Sequence, residues 1–366
     1  SFGTITNVLV GGVAATIEAS GPNWVTITLP ANTAGTKDIV IQGDSDIALP
    51  NAYSVNEAGI IYTNLPTSGS WTGNYPVVIT GTNLCNGGDV TNVTLCGVDV
   101  QAITYQSETQ VTVMAGATVT WGMGDVHVYS VSFGETVKSN AFTYNAPGLQ
   151  VLGTNGEVVA SGEAASDQKG TDFGYIPLGT ALTNVFSITN NGTEAVSISG
   201  FESSDLRFAV VGIPSVVEMG TVSNFTVTFA PDGLGDYTAT LRITNDSPTV
   251  AYLVNLAGSC FTLSTNVGPY AGGNTITITN GSFGTITNVL VGGVAATIEA
   301  SGPNWVTITL PANTAGTKDI VIQGDSDITL PNAYTVNEVG VIYTNSPVSG
   351  SWTGGYQVAI IGTNLC

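Results

Sequence analysis

The residues with the sharpest chemistry in this 366-residue sequence are one histidine and four cysteines. His127 lies in Asp125-Val-His-Val-Tyr129. Two-residue alternation puts Val126 and Val128 on one strand face and His127 on the other, outward or at a rim. With one histidine, a Ser-His-Asp or Cys-His arrangement could form at most once. No nucleophile elbow, phosphate loop or paired-histidine metal motif accompanies it. The expectation is a chain without catalysis and without a cofactor.

Cys85 and Cys96 are the strongest chemical pair, separated by ten residues between two predicted strands. No second Cys pair completes a zinc site. In an oxidising compartment a disulfide here would contribute about 2–3 kcal/mol through loop closure, and that bond is expected over two free thiols. Cys366 repeats Cys85. Cys260, in Gly258-Ser-Cys-Phe261, is left without a partner: a free thiol, or a link to a neighbouring chain. Gly43-Asp-Ser-Asp46, repeated at Gly324-Asp-Ser-Asp327, has two carboxylates but lacks the further ligands of a calcium loop, and reads as a solvated turn.

Asn-X-Ser/Thr sequons occur at Asn92, Asn191, Asn224, Asn245 and Asn280, and N-linked glycans are expected on several of them if the source is eukaryotic. Asn92 and Asn224 have outward parity; Asn191, Asn245 and Asn280 fall at turns. Trp24 and Trp305 open matching strands and point opposite to the apolar residues that follow. An outward tryptophan implies a contact with another module, a neighbouring chain or a sugar. Trp71 and Trp352, in Ser-Gly-Ser-Trp-Thr-Gly, sit in a loop near a joint, where packing between modules is expected.

The elements that position these residues follow from composition. Glycine is abundant at 46, charged residues make up 9%, and Thr, Ser, Asn and Val dominate. β-Branched residues between Gly/Asn turns predict strands and almost no helix. The alternation in Trp24-Val-Thr-Ile-Thr-Leu29 and Asn224-Phe-Thr-Val-Thr-Phe229 marks half-buried sandwich strands. Net charge is −20, with only Lys37, Lys138, Lys169, Arg207, Arg242 and Lys318 as basic residues. Nucleic acid and anionic membrane surfaces, which need Lys/Arg clusters, are therefore excluded as partners. No apolar run of 18 residues predicts membrane insertion.

Organisation is set by a repeat. Ser1–Ile47 is identical to Ser282–Ile328, and the match runs without a gap to Cys85 and Cys366 with ten differences over 85 positions. The offset is 281 residues, so the repeating unit holds several domains. The second copy is preceded by Asn274-Thr-Ile-Thr-Ile-Thr-Asn280, a predicted strand with no counterpart before residue 1, so the sequence reads as a window on a longer chain. The expected modules are 1–56 (partial), 57–147, 148–260, 261–337 and 338–366 (partial), joined by short linkers.

Residues 57–147 resemble an immunoglobulin-like IPT/TIG domain. The stretches that carry this are Pro66-Thr-Ser-Gly69, Tyr75-Pro-Val-Val-Ile-Thr-Gly-Thr-Asn-Leu84 and Val90-Thr-Asn-Val-Thr-Leu-Cys-Gly-Val98, with Gly124-Asp-Val-His-Val-Tyr129 and Asn140-Ala-Phe-Thr-Tyr144. Residues 261–337 resemble the same family through Gly272-Gly-Asn-Thr-Ile-Thr-Ile278 and Asn332-Ala-Tyr-Thr-Val336. Residues 148–260 are similar to the hydin-like, choice-of-anchor D type of immunoglobulin-like domain. Asp172-Phe-Gly-Tyr-Ile-Pro-Leu-Gly179, Phe186-Ser-Ile-Thr-Asn-Asn-Gly-Thr193, Phe225-Thr-Val-Thr-Phe-Ala-Pro231 and Gly235-Asp-Tyr-Thr-Ala-Thr-Leu241 carry that likeness. The resemblance implies an all-β, linear array of immunoglobulin-like β-sandwiches and no catalysis. Some IPT/TIG domains of transcription factors bind DNA through basic loops, which this chain lacks.

Near-identical modules at a fixed period predict an extracellular or cell-surface structural protein that self-associates into a fibre, filament or stalk. The alternative is an adhesin or carbohydrate-binding array, with Trp24 and Trp305 as contacts and avidity from repetition. A third option is spacer modules of an enzyme whose catalytic domain lies outside these residues.

Overall fold

A computed structural model of the chain describes residues 3–249 and 251–365. Residues 1, 2, 250 and 366, and with them Cys366, lie outside the described residues. Every regular element described is a strand. The chain forms two compact units, one holding the residues up to Pro147 together with Gly192–Glu194, the other the remainder.

In the first unit, the module after residue 57 is a two-sheet sandwich. One sheet orders Val98–Asp99, Val90–Leu95, Gly122–Ser130, Gly134–Asn145 and Ser68–Ser70; the other orders Ala102–Gln106, Gln110–Met114, Pro76–Thr82 and Ile60–Leu65. Alternate residues face inward. Val77 and Ile79 meet Val111 and Val113 across one sheet, and Val93, Leu95, Val126 and Val128 close the core from the other, with Phe142 and Tyr144 beside them. Each fully buried side chain of this size contributes about 1.5–3 kcal/mol.

The second unit begins with a larger sandwich. One sheet orders Val158–Val159, Leu149–Leu152, Leu182–Asn190, Val222–Phe229 and Phe208–Val211. The facing sheet orders Val216–Val217, Val196–Ser203, Gly235–Asn245 and Ala251–Leu263, with Asp172–Pro177 added in parallel to the last. An aromatic stack fills the core: Phe208 and Phe229 lie 4.6 Å apart, with Phe173 5.7 Å from Phe208.

Ala251–Leu263 does not stop at the end of this sandwich. Thr262 and Leu263 pair with Thr279 and Ile278, so the strand also opens the next module. Its side chains change allegiance as they pass the joint. Tyr252, Val254 and Leu256 belong to the first core, whereas Phe261 is fully buried in the second with Ile276, Ile278, Val306 and Ile308. Successive side chains of a strand point to opposite faces. Cys260 and Phe261, on opposite faces, are both buried, and Phe261 belongs to the second core.

The two copies of the repeat show what Phe261 and its strand supply. The copy at 261–337 includes Phe261–Gly281; the copy at 1–56 is described without it. Leu330 and Tyr334 are 0% and 2% exposed, but their counterparts Leu49 and Tyr53 are 61% and 39% exposed. Near-identical local sequence thus forms the same hairpins in both places, and in the complete copy Leu330 and Tyr334 close the core with Phe261. We expect Phe261→Ala to destabilise the 261–337 module by about 3–5 kcal/mol. Urea unfolding followed by tryptophan fluorescence measures this. An unchanged midpoint would contradict the role given to this ring.

Candidate functional site: the outward faces and the module joint

His127 faces outward, as the alternation predicted, between buried Val126 and Val128. Its Nδ1 lies 2.7 Å from Glu135 Oε1 and 3.4 Å from the Tyr129 hydroxyl. The hydrogen bond from His127, followed by that from Tyr129, holds the Glu135 carboxyl below the usual carboxylate range. These three groups sit at neighbouring positions of Gly122–Ser130 and Gly134–Asn145, with Tyr129 directly opposite Glu135.

The expected Cys85–Cys96 disulfide is not formed; Cys85, Cys96 and Cys260 are free thiols. Cys85 follows the strand Pro76–Thr82 and is buried, donating to the Ser107 carbonyl 3.1 Å away. Cys96 terminates Val90–Leu95 and donates to the Phe142 carbonyl at 3.2 Å. Val90, at the start of that strand, binds Gln106, next to the Ser107 that holds Cys85. Six extended residues then carry the chain about 20 Å to the opposite end of the sandwich. A disulfide needs Cα atoms within about 7 Å. Ten residues is a short sequence separation, but most of it is one straight strand.

Cys260, read as a free thiol or a link to a neighbouring chain, is a free thiol fully buried within the strand. Burial pushes both Cys96 and Cys260 above the usual thiol pKa, which keeps them protonated and weakly nucleophilic.

The sequons divide by parity. Asn191 and Asn224 are exposed, while half-buried Asn92 is committed to Asp99 at 2.8 Å. Asn245 and Asn280 are 5% and 1% exposed, which corrects the expectation that they carry glycans. Both extend an inward row: Ala239, Leu241, Ile243, Asn245 in one strand, and Ile276, Ile278, Asn280 after the other. This signal was available in the sequence, where both were read as turn positions.

Asp44 and Asp325 act as backbone caps: their Oδ2 atoms accept from the amides of Thr4 and Thr285 at 3.1 and 2.9 Å. Asp46 and Asp327 share their turns. Each basic side chain is tied to oxygens of its own module, including Lys37 to Thr33, Lys138 to the Tyr62 carbonyl and Lys318 to Thr314. Lys169 binds Glu163, and Arg242 binds Thr244. Arg207 is held between Asp205 and Asp232 with its guanidinium over Tyr237, a clamp the sequence reading missed. Outward faces are instead knitted by neutral pairs, Thr183 to Thr228 at 2.7 Å and Thr277 to Thr307 at 2.9 Å.

Trp24 is outward and 52% exposed; Trp305, its counterpart in the complete module, is half-buried. Each indole covers its cross-strand glycine. A Cβ built on Gly21 or Gly302 would lie 2.5 Å from the indole nitrogen, so the ring occupies the space a side chain there would need. Trp71 is half-buried, its backbone bonded to Asn145 and Thr118, while Trp352 is 97% exposed.

What the structure brings together is the joint at Phe261. The Phe261 carbonyl accepts from the Leu178 amide at 2.8 Å, and Tyr175 packs on the following core. Gly281 sits so close to Gly235 that a Cβ on it would fall 2.5 Å from the Gly235 Cα. Gly281 has no room for a side chain, and Gly235 opposite it holds a φ of +128°, which side chains disfavour.

Residues 60–144 and 259–336 match the model of the IPT/TIG domain, and residues 165–259 match the HYDIN/CFA65/VesB-like Ig-like domain. The chain is therefore a tandem array of IPT/TIG domains and a hydin-like immunoglobulin-like domain. No curated protein matches its sequence. Among solved structures, a Porphyromonas gingivalis W83 protein of unknown function is similar at 11% identity over 55% of this chain and 96% of its own, with TM-score 0.25. A Bacteroides ovatus mixed-linkage glucan utilization locus SGBP-B, in complex with a mixed-linkage heptasaccharide, is similar at 14% identity over 82% and 75%, with TM-score 0.21. The surface glycan-binding protein PbSGBP-B of Prevotella bryantii is similar at 11% identity over 55% and 42%, with TM-score 0.23. Likeness at this level carries no functional argument.

The thiol geometry makes a direct prediction. Denatured protein prepared without reductant should titrate Cys85, Cys96 and Cys260 as free thiols, and reductant should leave the native melting temperature unchanged. A fall in melting temperature on reduction would restore the disulfide.

Proposed function

We propose that this chain is part of an extracellular or cell-surface structural protein, a fibre, filament or stalk in which the immunoglobulin-like modules set length and spacing. The observation that carries the reading is the 85-residue recurrence at an offset of 281 residues with no insertion or deletion. Catalysis gains nothing from repetition at fixed length, whereas a rod gains a constant axial step. The strand shared by two modules at Phe261 supports it, because a joint made of continuous strand resists bending more than a flexible linker does. The modules act without cofactor or metal in this reading. Self-association proceeds through the neutral hydroxyl faces, and Asn191 and Asn224 are the sequons open to N-linked glycan.

A second reading, a carbohydrate-binding array, is favoured by one observation: in both copies an outward indole lies over its cross-strand glycine, Trp24 on Gly21 and Trp305 on Gly302, beside Glu18–Thr28 and Glu299–Thr309 pairs at 2.7 and 2.8 Å. Electron microscopy of native material separates the two. The fibre reading predicts filaments whose axial repeat corresponds to one 281-residue unit. Dispersed molecules that bind a glycan array, with binding lost in Trp24→Ala, would contradict it and favour the second reading.

A further inference from the structure

The hydin-like sandwich divides its charge unevenly between its two sheets. The five described strands of one, Val158–Val159, Leu149–Leu152, Leu182–Asn190, Val222–Phe229 and Phe208–Val211, contain no charged residue and no histidine. Those of the facing sheet carry Asp172, Glu202, Asp236 and Arg242. The outward side of the uncharged sheet is a face of valines, hydroxyls and amides. Val185, on the central strand, is 51% exposed, and Val211 and Val222 are 66% and 59% exposed. Val185 lies opposite Thr226, which in turn lies opposite Val211.

The hydroxyls of this face are already bonded within it. Thr183 and Thr228 pair at 2.7 Å, and Ser187 donates to Asn224 Oδ1 at 2.8 Å. Thr189 and Thr226 donate to the carbonyls of Thr221 and Val211 at 3.2 and 3.4 Å. Burying a polar group is costly when it loses its partner. These hydroxyls would keep theirs. The face can therefore give up its water at little cost, and three exposed valines gain from doing so.

Charge selects the occupant. The chain carries a net charge of −20, so two copies repel wherever their charged faces meet. A face without charge is where they can approach. A partner bearing lysines or carboxylates would have to desolvate them against valine and threonine, with nothing to pair them. We propose that this sheet face packs on the same face of a second copy, joining chains side by side. Strand spacings put its area at about 500 Å² per partner, so the pair buries about 1,000 Å², where specific interfaces begin. One such contact is weak. In the fibre reading, on which this use of it rests, the contact recurs with every unit and gains avidity. A glycan on Asn224 would stand on the same face, so it and a second copy exclude each other.

Sedimentation equilibrium of the whole chain, produced without glycans, tests it. The chain should self-associate, and more tightly as salt rises, because salt screens the repulsion between copies and the contact holds no ion pair. Val185→Lys should raise the dissociation constant about tenfold or more, the effect of an unpaired charge in the contact. Val185→Thr keeps the face neutral and should stay near wild type. Val137→Lys makes the same change at an exposed position opposite His127, on the charged sheet of another module, and should also stay near wild type. Melting temperatures check that each variant is folded. A chain that stays monomeric, association that weakens as salt rises, or Val137→Lys matching Val185→Lys would overturn the proposal. Filaments in native material from a chain that lacks this contact would keep the fibre reading and remove the pairing. The contact without filaments would do the reverse.

Discussion

Much of this structure depends on one strand serving two cores. Ala251–Leu263 gives Tyr252, Val254 and Leu256 to the hydin-like sandwich and, one residue past Cys260, gives Phe261 to the next. Because a strand's side chains alternate faces, a continuous strand can close one core and open another without a linker. The cost is rigidity in its neighbours. Gly281 must lack a side chain, Gly235 must hold a φ of +128°, and Leu178 must reach the Phe261 carbonyl. A joint built this way leaves no linker between the two modules.

The same alternation explains the surface. With charged residues at 9%, strand-face hydrogen bonding rests on hydroxyls and amides. Thr183–Thr228, Thr277–Thr307 and Ser187–Asn224 pair across strands. The cations that do occur are bound within their own modules. The ten substitutions between the copies fit this frame: in the first copy every one of those positions, from Ala48 to Thr80, is exposed or half-buried. The core is therefore unchanged, and the spacing with it.

Parity was the most legible feature of the sequence. The inward rows of Trp24–Thr28 and Val222–Phe229, the outward histidine and the absence of helix all follow from two-residue alternation and β-branched composition. Three-dimensional neighbours were less legible. Cys85 and Cys96 are close in number, yet a straight strand separates them. Asn280 looked like a turn because a glycine follows it, but its parity already placed it with Ile276 and Ile278. The parallel pairs at Ser68–Ser70 and Val267–Gly268 are two or three residues long, too short to show periodicity, and their partners lie more than sixty residues away.

Amide hydrogen exchange across residues 251–263 tests the shared strand most directly. The account predicts that the bonded amides around Cys260 and Phe261 exchange as slowly as those around Val254 and Leu256, with no gap at the joint. Fast exchange confined to 259–263, between two protected segments, would show a hinge there and contradict it.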